Sequence, residues 1–506
     1  MRDAPPTCAA AWRESCSDIP ILMRIWTLVT AVGAVMLVGS LSAQDARAVI
    51  AEASRAMGVV GVTSVTLAGT AAYGNFGQSR TLSFGIASTT IRSYNRTFDF
   101  VRGISHSIGV AAPPGAPSGV PPGPFDDLIT PASPGVKQLE IWTTPWGFLR
   151  GAAAASKLTL KTQTVDNVRY RVVSWTTPFA ASSGRPYTIA GYISPEMLVD
   201  KVETWIDHPL MGDLEVMFNY GNYQDAAGLK VPTKVSQKNI GMEVYVAEFA
   251  FAAANPPDLE ELLKPTVPGV ASAPSPMLSK PLAAGVHLIT GGPGGPGGPG
   301  GYDALVVELK DSVVILGGGG NEAGGLALVA EARRLVPGKP ITHAVNMHGH
   351  FDHAMVLPAF ASEGIAILTD DANRYFLQES LNTPRTLVGD AFAKSKQRAK
   401  VEGVLEKRVL GDATRSIELH HLKQVPHADG MLAAWLPKER ILFVSDIEPP
   451  VAGEPLTPSL VALQQNIDRL GLNFETFISN GPRSTPTLSR SEFMTRLSQA
   501  ARAGER

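Results

Sequence analysis

The chain has 506 residues, 44% of them apolar and 18% charged, with a formal net charge of −2. That length exceeds one ordinary domain and allows two or three with ample core. The near-neutral balance, with no block of Lys or Arg, excludes the electrostatic footprint of a protein that binds nucleic acid.

Residues 1–22 are polar and hold the two cysteines of the chain, Cys8 and Cys16. Met23-Arg24 then opens a short basic region, and an apolar stretch runs from Ile25 to Gly39. Ser40, Ser42 and Ala43 lead into Gln44-Asp45. This is the pattern of a secretory signal over 23–43. Met23 is read as the start and 1–22 as an upstream segment absent from the mature protein. The small-residue exit favours cleavage over a retained anchor, so no stable membrane insertion is expected afterwards. The expected location is periplasmic or secreted. The mature chain would have no thiol, no disulfide and no Cys metal ligand.

From Ala46 to Met57 the spacing predicts a short helix. Strands are predicted at Ser64–Ala68, Ile91–Val101, Leu139–Trp142, Val168–Trp175, Tyr187–Ile193 and Leu198–Ile206. Val216–Tyr220, Val231–Gln237 and Glu243–Phe251 continue the series. Many alternate apolar and polar residues, as in an antiparallel sheet with one wet face. Residues 44–263 therefore read as a β-rich domain of repeated hairpins in a curved sheet. With no charged cluster or nucleophile signature, this region is expected to carry no catalytic residue and to be separable from the C-terminal half of the chain. Residues 264–281 read as a linker rich in proline.

After the linker the pattern changes. Gly285–Ile289, Leu305–Leu309 and Ser312–Leu316 are predicted strands. The repeat of Gly and Pro over 291–301 is a loop, either a lid or a slack surface insertion; three repeats cannot form a collagen helix. A helix at Leu326–Leu335, the strand Ile341–Met347, a helix from Ala354, the strand Ile365–Thr369 and a helix from Ala372 come next. Ser416–Leu422, Leu432–Trp435, Ile441–Ser445 and Phe474–Ser479 are strands, with helices at Val461–Leu470 and Ser489–Ala501. Strand and helix alternate, and the polar motifs sit at strand ends. That is a layered domain over 282–506.

The most informative segment is His348-Gly349-His350-Phe351-Asp352-His353. Three imidazoles and a carboxylate within six positions are not core packing, because burying them unpaired is costly. Two His at i, i+2 on a strand end point the same way, and the Asp-His pair can turn back toward them. The arrangement suits two metal ions, with His348 and His350 on one and Asp352 and His353 on the other.

The spacing His-x-His-x-Asp-His resembles the signature of the metallo-β-lactamase superfamily. Two later motifs extend the resemblance: His427 in Pro426-His427-Ala428-Asp429-Gly430, and Asp446 at the end of Ile441–Ser445. The resemblance implies an αββα sandwich, so the whole chain is expected to be α+β, with a β-rich N-terminal domain. It further implies that His427 completes the first site, that Asp446 bridges the two, and that metal-bound hydroxide is the nucleophile. Asp352 would orient that nucleophile and shuttle its proton. The cofactor implied is zinc, one or two ions, with iron or manganese as alternatives. The remaining His residues are expected to be packed or at the surface.

Two positions depart from the family pattern. Asn480 stands where members usually carry a further imidazole, and Asn is a poor ligand for zinc. The second site is therefore expected to be weak or empty. Leu316-Gly317-Gly318 lacks the acidic residue many members place after that strand. The expected function is an exported metallo-hydrolase acting on a small-molecule ester, lactam, thioester or phosphoester. Two alternatives stand beside it: a metal-binding protein that is catalytically weak, and a carrier that holds an apolar ligand on the N-terminal sheet.

Overall fold

The computed structural model describes residues 43–82, 88–112, 123–266, 275–293, 302–449, 454–481 and 487–503. The expected upstream segment, the expected signal up to residue 42 and most of the 291–301 loop lie outside these residues. Ser42–Arg506 form one compact unit.

Among the described residues, the N-terminal region is an antiparallel sheet of eleven strands in the order β4 (Gly123–Ile129), β3 (Ile104–Ala112), β2 (Ser88–Asp99), β1 (Ser64–Gly74), β11 (Met242–Ala254), β10 (Leu229–Asn239), β9 (Gly212–Ala226), β8 (Val199–His208), β7 (Pro186–Ile193), β6 (Val168–Ala180) and β5 (Thr159–Val165). It begins with β1 (Ser64–Gly74), β2 (Ser88–Asp99) and β3 (Ile104–Ala112), and closes with β11 (Met242–Ala254) paired back on β1. Between these, β8 (Val199–His208) and β9 (Gly212–Ala226) form a long hairpin. Three helices cover one face: α1 (Ala43–Ala56), α2 (Gly135–Trp142) and α3 (Pro145–Ala154). Trp146, Phe148 and Ile50 pack against Tyr94, Phe98 and Val173 of the strands. The gap between helices and sheet leaves a cavity of about 40 Å³. That is room for a water or so, far short of the several hundred Å³ of a ligand pocket.

Leu139–Trp142 is thus helical where alternation predicted a strand. Its apolar residues Leu139 and Ile141 are buried, and the next helix is capped by Thr144 with Pro145 in its first turn. That start signal favours a helical pair over another hairpin. The strands Ile104–Ala112, Gly123–Ile129 and Thr159–Val165 were not predicted. Their exposed and half-buried positions carry too weak an apolar period.

The C-terminal region has two sheets facing one another. Among the described residues, the first holds seven strands in chain order, β12 (Ser275–Ala283), β13 (Val286–Gly292), β14 (Ala304–Glu308), β15 (Val313–Gly317), β16 (Ile341–Val345), β17 (Ala366–Asp370) and β18 (Val401–Val404), and the second six, β19 (Lys407–Gly411), β20 (Ser416–Leu422), β21 (Met431–Leu436), β22 (Ile441–Ser445), β23 (Thr476–Asn480) and β24 (Leu488–Ser489). Leu305, Leu316, Val345 and Leu368 of the first interdigitate with Leu419, Leu432, Phe443 and Ile478 of the second. The outer face of the second sheet is closed by the helices Pro458–Leu470 and Arg490–Ala503, through Leu463, Ile467 and Phe493. On the first sheet, the helix Glu322–Leu335 packs on β13 (Val286–Gly292) and on a short helix at Leu357–Ser362. The α+β class and the αββα layering match the expectation. Ser275–Ala283, read as the end of a linker, is instead the edge strand β12, paired with β13. Pro276 and Pro281 are tolerated there because an edge strand leaves one row of N–H groups unused.

Two seams join the regions. At one, the segment Thr383–Gly389 meets the β8–β9 turn. Asp213 N–H donates to Pro384 O (2.8 Å), and the Asp213 carboxylate accepts from the amides of Thr386 (2.9 Å) and Leu387 (2.8 Å). The other seam runs along the metal-ligand motif.

Candidate metal centre

Strand β16 (Ile341–Val345) lies between β15 (Val313–Gly317) and β17 (Ala366–Asp370), parallel to both. A parallel strand held on both sides delivers its C-terminal end rigidly, and His348 and His350 leave from there, both buried. His350 precedes a single helical turn, Phe351–Ala354, which carries Asp352 and His353 back over the strand ends. His427 lies on the loop between β20 (Ser416–Leu422) and β21 (Met431–Leu436). Asp446 comes directly after β22 (Ile441–Ser445), and its N–H donates to Asn480 O (3.1 Å). Its φ is +50°, the left-handed region that few residues other than Gly adopt. Such a conformation persists only where surroundings enforce it.

All six candidate residues converge. His348, His350, His427 and Asp446 offer one donor group, and Asp352, His353 and Asp446 a second; within each, one atom per residue lies within 4.8 Å of the others. Asp446 belongs to both. Its Oδ2 is 3.4 Å from His348 Nε2 and 3.2 Å from His427 Nε2, and its Oδ1 is 3.1 Å from His353 Nε2. His427 Nε2 and His348 Nε2 face each other at 3.4 Å.

Burial decides the charge state of His348 and His350. It pulls His348 down to about 4, aided by His353 nearby. It pulls His350 down to about 3, aided by His348 and His427. Both are neutral near pH 7, as metal ligands must be. Burial also opposes a charge on His353, but the Asp446 carboxylate outweighs it and raises this group. For Asp446, burial pushes upward, yet His353 and the hydrogen bonds of three imidazoles hold the carboxyl far below its usual range. The donors fit a cation. His350 Nδ1 is buried with no hydrogen-bond partner, and leaving such an atom unsatisfied would be costly.

The supporting atoms come from elsewhere. Gly318 O accepts from His353 Nδ1 (3.3 Å), leaving Nε2 for the centre. Tyr302 Oη donates to Asp352 Oδ2 (2.6 Å), and its ring lies 4.3 Å from that of His353. Gln78 Nε2 donates to Asp352 Oδ1 (2.6 Å), and Ser79 O accepts from His350 Nε2 (3.2 Å). Burial pushes Asp352 up, but His353, Tyr302 and Gln78 together hold it below its ordinary value. Sequence reasoning missed Tyr302, Gln78 and Ser79. The N-terminal region was expected to stand apart from this site, and two of the three belong to it.

Asn480 is fully buried at the end of β23 (Thr476–Asn480). Its Nδ2 donates to Gly318 O (3.3 Å), the same carbonyl that His353 uses. Tyr302, the first described residue after the 291–301 stretch, places a hydroxyl at the cluster. Among the other histidines, His106 is held by Leu262 O (2.7 Å) and Asp126 (3.0 Å), and His421 by Asp370 (2.6 Å). His420 pairs with Glu418 at 2.9 Å.

Residues 297–478 match the family model of the metallo-beta-lactamase superfamily. None of the curated proteins compared with this chain matches it. Solved structures that resemble it include a metallo-beta-lactamase from Pontibacter korlensis, at 16% identity and TM-score 0.34, covering 44% of this chain and 99% of that one. DIM-1 metallo-beta-lactamase resembles it at 18% identity and TM-score 0.36, covering 46% and 100%. A metallo-beta-lactamase from Hirschia baltica does so at 18% identity and TM-score 0.32, covering 45% and 98%.

Proposed function

We propose, from a C-terminal region that carries a metallo-beta-lactamase superfamily domain, that this chain is a metal-dependent hydrolase. The observation that carries the reading is the pair of donor groups sharing Asp446. His348, His350 and His427 would hold one ion, Asp352 and His353 a second, and Asp446 would span both. Zinc suits a set of imidazoles and carboxylates, and iron or manganese would fit the same donors. When bound, such ions supply Lewis acidity and activate water.

The chain's own residues do the rest. Asp352 has 27% of its side chain exposed, the most open acid of the cluster. It can therefore meet a substrate and hold a proton at a carboxylate oxygen. Tyr302 and Gln78 keep that carboxylate from rotating. The substrate class stays with an ester, lactam, thioester or phosphoester, since fold alone does not choose. Export is part of the proposal, on the signal pattern at 23–43, and a mature N-terminus near Gln44 by mass spectrometry would test it.

The test of function is metal analysis of the purified chain after zinc reconstitution, paired with a panel of those four substrate classes. Retained metal and turnover in one class are expected; a chain that holds no metal overturns the proposal. Asn480 favours a second reading, a metal-binding protein with little activity, because it leaves the second group only three protein donors. Metal retention without turnover anywhere in the panel would favour it. The third reading, an apolar-ligand carrier, is disfavoured by the filled space under the N-terminal helices, and a cavity of about 550 Å³ elsewhere on the sheet is lined by Lys161, Lys201, Glu203, Glu215 and Lys238, which do not suit an apolar ligand.

A further inference from the structure

Gly77–Thr81, in the described part of the β1–β2 connection, lie along the metal-ligand motif, and consecutive residues each address it. Gly77 O accepts from the N–H of Phe351 (3.0 Å), between His350 and Asp352. Gln78 donates to Asp352 Oδ1 and Ser79 accepts from His350 Nε2. Arg80 O accepts from the N–H of Asp429 (2.7 Å), two residues past His427, and Thr81 Oγ1 donates to the same Asp429 carboxylate. The approach is close. Gly77 has φ +82°, and a Cβ there would sit 2.1 Å from the Phe351 ring. Only glycine lets the strand come this near.

These contacts are of two chemical kinds. A carbonyl opposite His350 Nε2 keeps the proton on that nitrogen, so the lone pair stays on Nδ1, toward the cluster. An amide N–H₂ on Asp352 Oδ1, opposite Tyr302 on Oδ2, fixes the plane of the carboxylate. Neither depends on the strands behind them except for position. The sheet supplies that position, since β1 is hydrogen-bonded on both sides, to β2 and β11.

We propose that Gly77–Thr81, in the β1–β2 connection, form a built-in wall of the metal centre, with Ser79 setting the tautomer of His350 and Gln78 the orientation of Asp352. The N-terminal sheet is then a positioning device for the site in the same chain, and Gln78 is a positioning residue. This rests on the metal reading above.

The test uses the full chain loaded with cobalt(II), whose visible spectrum reports ligand geometry, and chelator competition for each equivalent bound. Gln78→Ala is expected to weaken the second equivalent by about 10- to 100-fold, the range for lost outer-shell partners, and to shift the cobalt bands. Gln78→Glu should weaken it further, because it sets a second carboxylate against Asp352. Gly77→Ala should push the connection off Phe351 and weaken the first equivalent by about 10-fold through His350. The thermal midpoint of the metal-free chain should stay at the wild-type value in Gln78→Ala, which separates positioning from a general loss of structure. If both equivalents bind as in wild type, with unchanged spectra, the proposal is overturned. It is equally overturned if affinity falls only in step with the metal-free midpoint. Should wild type take a single equivalent, Gly77→Ala decides alone, and unchanged affinity in that variant refutes the wall. Wild type that binds no metal at all would instead refute the underlying metal reading.

Discussion

The two halves of the cluster share Asp446 but are held in different ways. The first draws on three imidazoles, two from the end of a strand paired on both sides and one from a loop, and burial keeps His348 and His350 neutral. The second draws on one imidazole and a carboxylate that is 27% exposed. Its geometry depends on side chains and a carbonyl from three distant segments: Gln78, Tyr302 and Gly318. A site built on backbone positions keeps its shape unless the backbone beside it moves. A site steadied by borrowed side chains should respond to each of them.

The largest expected effect tests the first half. His350→Ala removes a ligand, not a support, so the loss should exceed what supports confer. Metal affinity of the first equivalent is expected to fall at least about 100-fold by competition with a chelator. A loss under about threefold would mean that His350 is packing and not a donor.

A smaller effect is expected for Tyr302→Phe, which keeps the ring against His353 and deletes one hydrogen bond to Asp352. The second equivalent should weaken about 10-fold while the first holds its value. Equal weakening of both would erase the distinction drawn between the halves. In the opposite direction, Asn480→His adds an imidazole where the second half has three protein donors. Metal content by elemental analysis should rise toward two per chain. The variant also gives up the amide bond to Gly318 O, so unchanged content would show that Asn480 serves to hold that carbonyl.

The smallest effect concerns the junction itself. His208, at the end of β8, packs its ring on Phe351 and Phe76, and burial, aided by Arg385, lowers it to about 4. Its ordinary value is 6.5, so between those two values the unfolded chain takes up the proton and the folded one does not. The stabilisation from the neutral ring is complete above about 6.5 and is lost as the pH falls toward 4. His208→Gln cannot titrate. Its urea midpoint should decline less between pH 7 and 4.5 than that of wild type, and parallel declines would show that His208 is protonated without consequence.

Legibility tracked chemistry. The cluster stood out because His and Asp at such density have few uses in a fold apart from holding a cation. Asn480 stood out because its residue type is wrong for a ligand at that place. The supports did not stand out. Gln78 acts across 274 positions, Ser79 across 271 and Tyr302 across 50, and each is a residue type common in any loop. Ser79 contributes only its carbonyl, which every residue possesses. In the fold, strongly alternating strands such as Val168–Ala180 were legible, whereas the edge strand Ser275–Ala283 was hidden by its prolines. Leu139–Trp142 shows the limit of periodicity over four residues, where helix and strand patterns overlap.

What the sequence determined by itself is the set of donors and their order along the chain, because ligand chemistry belongs to a side chain wherever it is placed. Only the tertiary structure decided which donors share a centre and what steadies them. Parallel pairing of β22 with β23 brings Asp446 beside Asn480, and the β1–β2 connection carries Gln78 and Ser79 to the motif from the far sheet. Convergence of this kind depends on distances of a few ångströms between segments hundreds of residues apart. Those distances are set by strand pairing and packing, which no local pattern encodes.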